Sequence, residues 1–154
     1  MQPKSPPTDQ SLLADLRRRR AELRDSMTAL EHALAGPAIG DPAHWAGRVQ
    51  AALTELSADL RTHVQITEDP DGLYPELLQV APRLSEPVAR LIREHGTLRA
   101  ALDDLLAALD DHVPDVERVR ELGTSLLSSL SHHRQRGADL VYEAYEVDVG
   151  GGED

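Results

Sequence analysis

Cysteine and phenylalanine are both missing from this chain of 154 residues, whose aromatic side chains amount to one tryptophan and three tyrosines. Without thiols there is no disulfide framework, thiolate ligand or cysteine nucleophile. Without phenylalanine, Leu and Ala must build the core, which is the composition of packed helices rather than of a sheet. Runs of β-branched residues bounded by turn signals are missing as well. No stretch approaches about eighteen consecutive apolar residues, so none is suited to crossing a membrane. Basic charge is also scarce. Sixteen Lys and Arg against 27 Asp and Glu leave a net charge of −11, the wrong sign for a phosphate backbone, and nucleic acid is not an expected partner. Met1–Gln10 lacks the apolar segment of a secretory leader, so a cytoplasmic location is expected.

What is present is helical periodicity. Residues 1–8 read as a disordered leader, 9–148 as one domain and 149–154 as a flexible glycine-rich tail. The first helix begins at Thr8 or Asp9, carries Leu12, Leu16, Leu23, Met27, Leu30 and Leu34 on one stripe, and stops at Gly36-Pro37. Asp41-Pro42 is an N-cap and N1 pair for a second helix with the stripe Val49, Leu53, Leu56, Leu60, His63 and Thr67. Glu68–Gly72 is rich in turn residues and ends it. A longer connection over 68–84 then holds a short helical piece at Pro75–Val80. Asp69 and Asp71 lack the remaining ligand spacing of a calcium loop. Ser85 is expected to cap the third helix, striped by Val88, Leu91, His95, Leu98, Leu102, Leu105 and Leu109. A turn at His112-Val113-Pro114 leads to the fourth, from about Pro114 to Val147. Its stripe reads Leu126, Leu130, His133, Gly137, Leu140 and Ala144, and Gly123 is a mild weakness in it. The fold predicted is all-α, an antiparallel up-down-up-down four-helix bundle.

Of seven histidines, only His63, His95 and His133 fall on apolar stripes. His95 lies 18 residues before Val113 and His133 lies 20 after it, so in antiparallel helices they face one another. His63 lies 24 residues after Ile39 and Arg20 lies 19 before it, which brings all four to roughly one layer. Three imidazoles meeting inside a bundle need partners for their ring nitrogens, and together they supply three neutral donors to a transition ion. Glu68, five residues past His63, is a further candidate ligand at the helix end. Arg20 belongs to the run Arg17–Arg20 and points nearest the core; it either snorkels to water or stands beside the polar centre as an anion-binding group. Asp139 and Glu143 lie too far along the helix to share an ion with His133. They are surface acids, or they support the site from outside its ligand set, in a pairing with Arg20 for example.

These pieces resemble the hemerythrin-like, HHE cation-binding family. The matching residues are His63 with Glu68, Arg93-Glu94-His95-Gly96-Thr97-Leu98-Arg99, and His133. The run from His133 to Tyr145 is similar to the ending of a group of actinobacterial members. The resemblance implies a four-helix bundle holding a non-haem diiron centre that binds or senses oxygen, or handles peroxide or nitric oxide. This chain departs from it. Arg20 stands in the register of the helix-one histidine, Thr67 stands four residues after His63, and Gly137 and Ala138 follow His133 where a carboxylate would be needed. Three histidines and Glu68 suffice for one metal, so a mononuclear site is expected ahead of a diiron one, with non-haem iron as the cofactor or zinc in its place.

Two functions follow. One is a metal-binding bundle with an open coordination position for O2, peroxide or NO; if it is an enzyme, redox chemistry at iron is the reaction expected. The other is a metal-free relative whose polar core is purely structural and which serves as a regulatory or protein-interaction module. An exposed stripe through Leu13, Ala29 and Val64 would suit a homodimer.

Overall fold

A computed structural model describes residues 9–147 of the chain. The expected leader (1–8) and tail (149–154) lie outside the described residues. Five α-helices follow one another: α1 (Asp9–Ala35), α2 (Pro42–Glu68), α3 (Leu73–Val80), α4 (Ser85–Leu109) and α5 (Val116–Tyr142). A 3-10 turn (Pro82–Leu84) leads into α4, and a π-helical turn (Glu143–Val147) continues α5. α1 packs on α2 and α5, and α4 packs on α5 and α2, so the four long helices form the expected antiparallel bundle. None of the described helices is long and apolar enough to cross a membrane.

The local signals explain most of the element ends. Asp41 caps α2, its carboxylate accepting from the His44 backbone N–H at 3.0 Å, and Asp115 does the same for Arg118 at 3.2 Å. The exposed carbonyls at the end of α1 are closed from another helix: the Arg120 guanidinium donates to the oxygens of Leu34 and Gly36, both at 2.9 Å, while lying 5.3 Å over the Trp45 ring. Ser85 does not cap α4. The 3-10 turn runs directly into it, and Leu84 stands at the cap position without a side-chain hydrogen bond. The helical piece expected at Pro75–Val80 starts two residues earlier, at Leu73.

The start of α3 matters because it carries Tyr74 into the interior. At Gly72 the chain passes so close to the preceding helix that a Cβ would come within 2.3 Å of the Ile66 carbonyl oxygen. Only glycine allows that approach, and it folds α3 back over the end of α2. Gly123 has a different role. A Cβ there would lie 2.5 Å from the Leu34 side chain, so this position on α5 leaves room for Leu34 of α1.

The apolar interior divides in two. The larger cluster fills the bundle from Leu23 through Leu60 and from Leu98 through Leu130, around the fully buried Trp45. The smaller one gathers Leu16, Leu73, Tyr74, Leu77, Leu91 and Leu140 beneath α3. Between Leu60, Leu98 and Leu130 on one side and Leu91 and Leu140 on the other stands a layer of polar side chains, which contains all three stripe histidines.

Candidate metal centre

His63, His95 and His133 enter this layer from α2, α4 and α5, each where its helix's leucine stripe would continue. His95 and His133 are buried, at 4% and 2% exposure. The ring centroids lie 4.8 Å (His95–His133), 5.1 Å (His63–His95) and 5.3 Å (His63–His133) apart, as the turn-to-residue counts predicted. One potential ligand atom from each ring lies within 4.8 Å of the others.

Two of the rings are held from behind. His95 Nδ1 meets a Glu68 carboxylate oxygen at 2.5 Å, and His133 Nδ1 meets Glu94 at 2.8 Å. A carboxylate only accepts, so both rings donate from Nδ1, and in the neutral tautomer this leaves Nε2 as a lone pair. Glu94 is itself clamped by Arg136 at 2.7 Å and by Arg90 at 3.5 Å. Its burial would raise its pKa, but the hydrogen bonds from His133 and Arg136 and the charge of Arg136 hold it below the ordinary value.

On the inner side, His63 Nε2 lies 3.2 Å from His133 Nε2. Since the His133 nitrogen is the acceptor, His63 carries the proton between them. His95 Nε2 lies 3.4 Å from the Tyr74 hydroxyl, with the two rings stacked at 5.8 Å. Burial pushes the Tyr74 phenol upward, so it remains a donor to that nitrogen. His63 is pushed down to about 3 by burial, then by the charges that His95 and His133 would carry and by Arg20 and Arg134. Burial also lowers His133, against the opposing hydrogen bond to Glu94. A proton is therefore poorly tolerated on His63 and His133.

The donor chemistry fits a transition ion. Two ligands of a tetrahedral ion with bonds of about 2.0 Å stand roughly 3.3 Å apart, close to the 3.2 Å between His63 and His133. Nδ1–H to carboxylate bonds are the usual support of ligating imidazoles. Glu68, expected as a ligand, is instead engaged by the outer nitrogen of His95. It sits in the last turn of α2, from which its side chain reaches α4.

A cavity of about 220 Å³ opens onto the rings of His63 and His133. Arg20 lines it and is itself exposed. Gly137, one turn past His133, also lines it, and a Cβ there would meet nothing within 4 Å. Asp139 and Glu143 belong to a separate groove with Glu86, Pro87 and Arg90. Asp139 accepts from Gln135 at 2.9 Å and Glu143 pairs with Arg83 at 2.9 Å, so the pairing of Glu143 with Arg20 does not form. The first lies past His133 on the exposed side of α5 and the second at its end, which turns both away from the cluster.

Glu94, Tyr74 and Arg134 were not singled out by the sequence. Glu94 adjoins His95, but at about 100° per residue its carboxylate turns toward α5 rather than to its own helix's stripe. A carboxylate one residue from a core histidine is the signal that would have found it.

In a comparison with protein-family models, the hemerythrin HHE cation-binding domain matches residues 11–145. Comparisons with curated proteins and with solved structures give none.

Proposed function

The chain belongs to the hemerythrin HHE cation-binding domain family, and from that premise we propose that it holds a single non-haem transition ion, iron ahead of zinc, on His63, His95 and His133. The observation that carries this reading is the convergence of three imidazoles, two of them fixed through Nδ1 by Glu68 and Glu94. The described residues contain one such group of three donors, which favours one ion over two. Glu68 would take a fourth position only by giving up His95.

An iron there would supply affinity for O2 or NO, or reactivity toward peroxide. The chain's own residues determine what reaches it. The cavity wall is largely apolar, with Leu16, Leu23, Leu73 and Val141, and it admits a small uncharged molecule while disfavouring bulk water. Tyr74 keeps a hydroxyl donor beside His95. Arg20 and Arg134 place positive charge at the cavity, suited to an anionic ligand.

A second reading has its own support: the hydrogen bonds of the cluster already satisfy most of its ring nitrogens, as a metal-free regulatory or partner-binding bundle would require. Metal analysis of protein purified without chelator or affinity-tag metal decides between them. About one iron or zinc per chain, lost in His95→Ala, is the expected result. Absence of metal even after anaerobic ferrous reconstitution would leave the polar-core reading, and two irons per chain would overturn the mononuclear site.

A further inference from the structure

The cavity over His63 and His133 combines two features that a diatomic ligand does not need. Its walls are aliphatic, built by Leu16, Leu23, Ile66, Leu73 and Val141, and four arginines line it: Arg17, Arg19, Arg20 and Arg134. Arg19 is paired with Glu22 at 3.1 Å. Among the described residues, Arg17, Arg20 and Arg134 have no hydrogen-bonded or ion-paired partner, although the chain carries 27 acidic residues. The Arg134 Nε is buried without a partner. Arg20 and Arg134 line the same cavity, so these like charges face one space where an anion would unite them. Gly137 leaves the wall open where a large side chain would enter the cavity.

We propose that this cavity binds a short-chain organic carboxylate, its head on Arg20 and Arg134 and its alkyl chain along the leucine wall toward the histidines. Polarity fixes the orientation. The arginines are the cationic side chains that line the cavity, so they are the complement to a carboxylate. Size limits the chain length. A volume of about 220 Å³ corresponds to about seven waters at ~30 Å³ each, below the ~300 Å³ where drug-sized pockets begin. That suits a chain of about four to eight carbons. The inference does not depend on a metal, and the metal can fail without affecting it.

The test is calorimetric titration of the chelator-stripped full-length protein with hexanoate, acetate, 1-hexanol and inorganic phosphate. Hexanoate is expected to bind at least about tenfold tighter than each of the other three, because only it uses both the aliphatic wall and the arginines. Arg134→Gln should weaken hexanoate by about tenfold while leaving hexanol unchanged, and Gly137→Leu should abolish hexanoate binding by filling the cavity. Both variants are checked for native melting first; either one that folds suffices. Equal affinity for acetate or phosphate would show a plain anion site and overturn the proposal, and equal affinity for hexanol would remove the arginines from it. No binding of hexanoate, or binding unchanged in a folded variant, would overturn it as well.

Discussion

Replacing Glu94 by Gln tests the centre with the smallest change of shape. In the structure one carboxylate oxygen accepts from His133 Nδ1 at 2.8 Å and the other from Arg136 at 2.7 Å, with Arg90 at 3.5 Å. The amide keeps one acceptor oxygen but exchanges the other for an NH2 that cannot accept from a guanidinium. The side chain then serves either His133 or Arg136. If it serves Arg136, the His133 ring loses the bond that fixes its tautomer; if it serves His133, the bond survives without its charge. A charge-assisted hydrogen bond contributes about 1.5–3 kcal/mol, and the half-exposed Arg136 pair adds less than about 1 kcal/mol. Partial retention brings the expected loss of stability to about 1–2 kcal/mol, or roughly 3–6 °C in melting temperature for a domain of this size. Metal affinity should fall separately, by about ten- to a hundredfold, the usual effect of removing a ligand's outer partner. Competition against a chromophoric chelator measures the affinity and circular dichroism melts of the metal-free protein measure the stability. A variant that loses stability but binds metal as wild type does would refute the argument that Glu94 orients His133.

Acid should destabilise the metal-free protein well above the carboxylate range. His63 has a folded pKa of about 3 against an ordinary 6.5, so below pH 6.5 the unfolded chain takes a proton that the folded one refuses. Stability is complete above that pH and falls by about 1.4 kcal/mol per unit, or roughly 2 kcal/mol between pH 7 and pH 5; His133 acts in the same direction. Urea unfolding across that range measures it, and His63→Leu should flatten the slope. Gly123→Ala gains about 1 kcal/mol of helix propensity but drives a methyl into Leu34, and overpacking costs about 1–3 kcal/mol. Leu34→Ala should then cost less in the Gly123→Ala background than alone, as a double-mutant cycle would show. Asp41→Ala removes the α2 cap and should lower stability by about 1 kcal/mol in denaturant titrations. Tyr74→Phe takes the hydroxyl from His95 Nε2, and should leave the fold intact while altering the pH dependence of metal uptake.

The sequence revealed the parts of this molecule governed by periodicity along one helix. Leucine spacing placed His63, His95 and His133 inward, and counting from the turns placed them in one layer, because rise per residue is nearly constant. It did not reveal contacts that depend on neighbouring helices. Glu94 lies off the stripe of α4 and acquires its role from α5, so no spacing within α4 distinguishes it from a solvated acid. Glu68 was near enough in sequence to His63 to suggest a shared ligand set, yet it reaches His95, 27 residues away. Tyr74 fell in a proline- and glycine-marked connection, and only the close approach at Gly72 turns that connection into a lid. Asp139 and Glu143 follow His133 on the same helix, but sequence gives no signal of which side of α5 faces the separate groove.

The polar layer has a consequence for how the molecule opens. Hydrocarbon packing is not continuous across it, so the ten buried side chains beneath α3 and the eighteen of the larger cluster are not a single cooperative block. Free energy of local opening follows the apolar surface each unit keeps, and the smaller unit should separate first, with α3 lifting while Trp45 and its neighbours remain packed. Such an opening uncovers Tyr74 and the histidines without global unfolding. Exchange of whatever occupies the centre is then limited by that partial motion, and amide hydrogen exchange should show α3 deprotected well before the middle of α2.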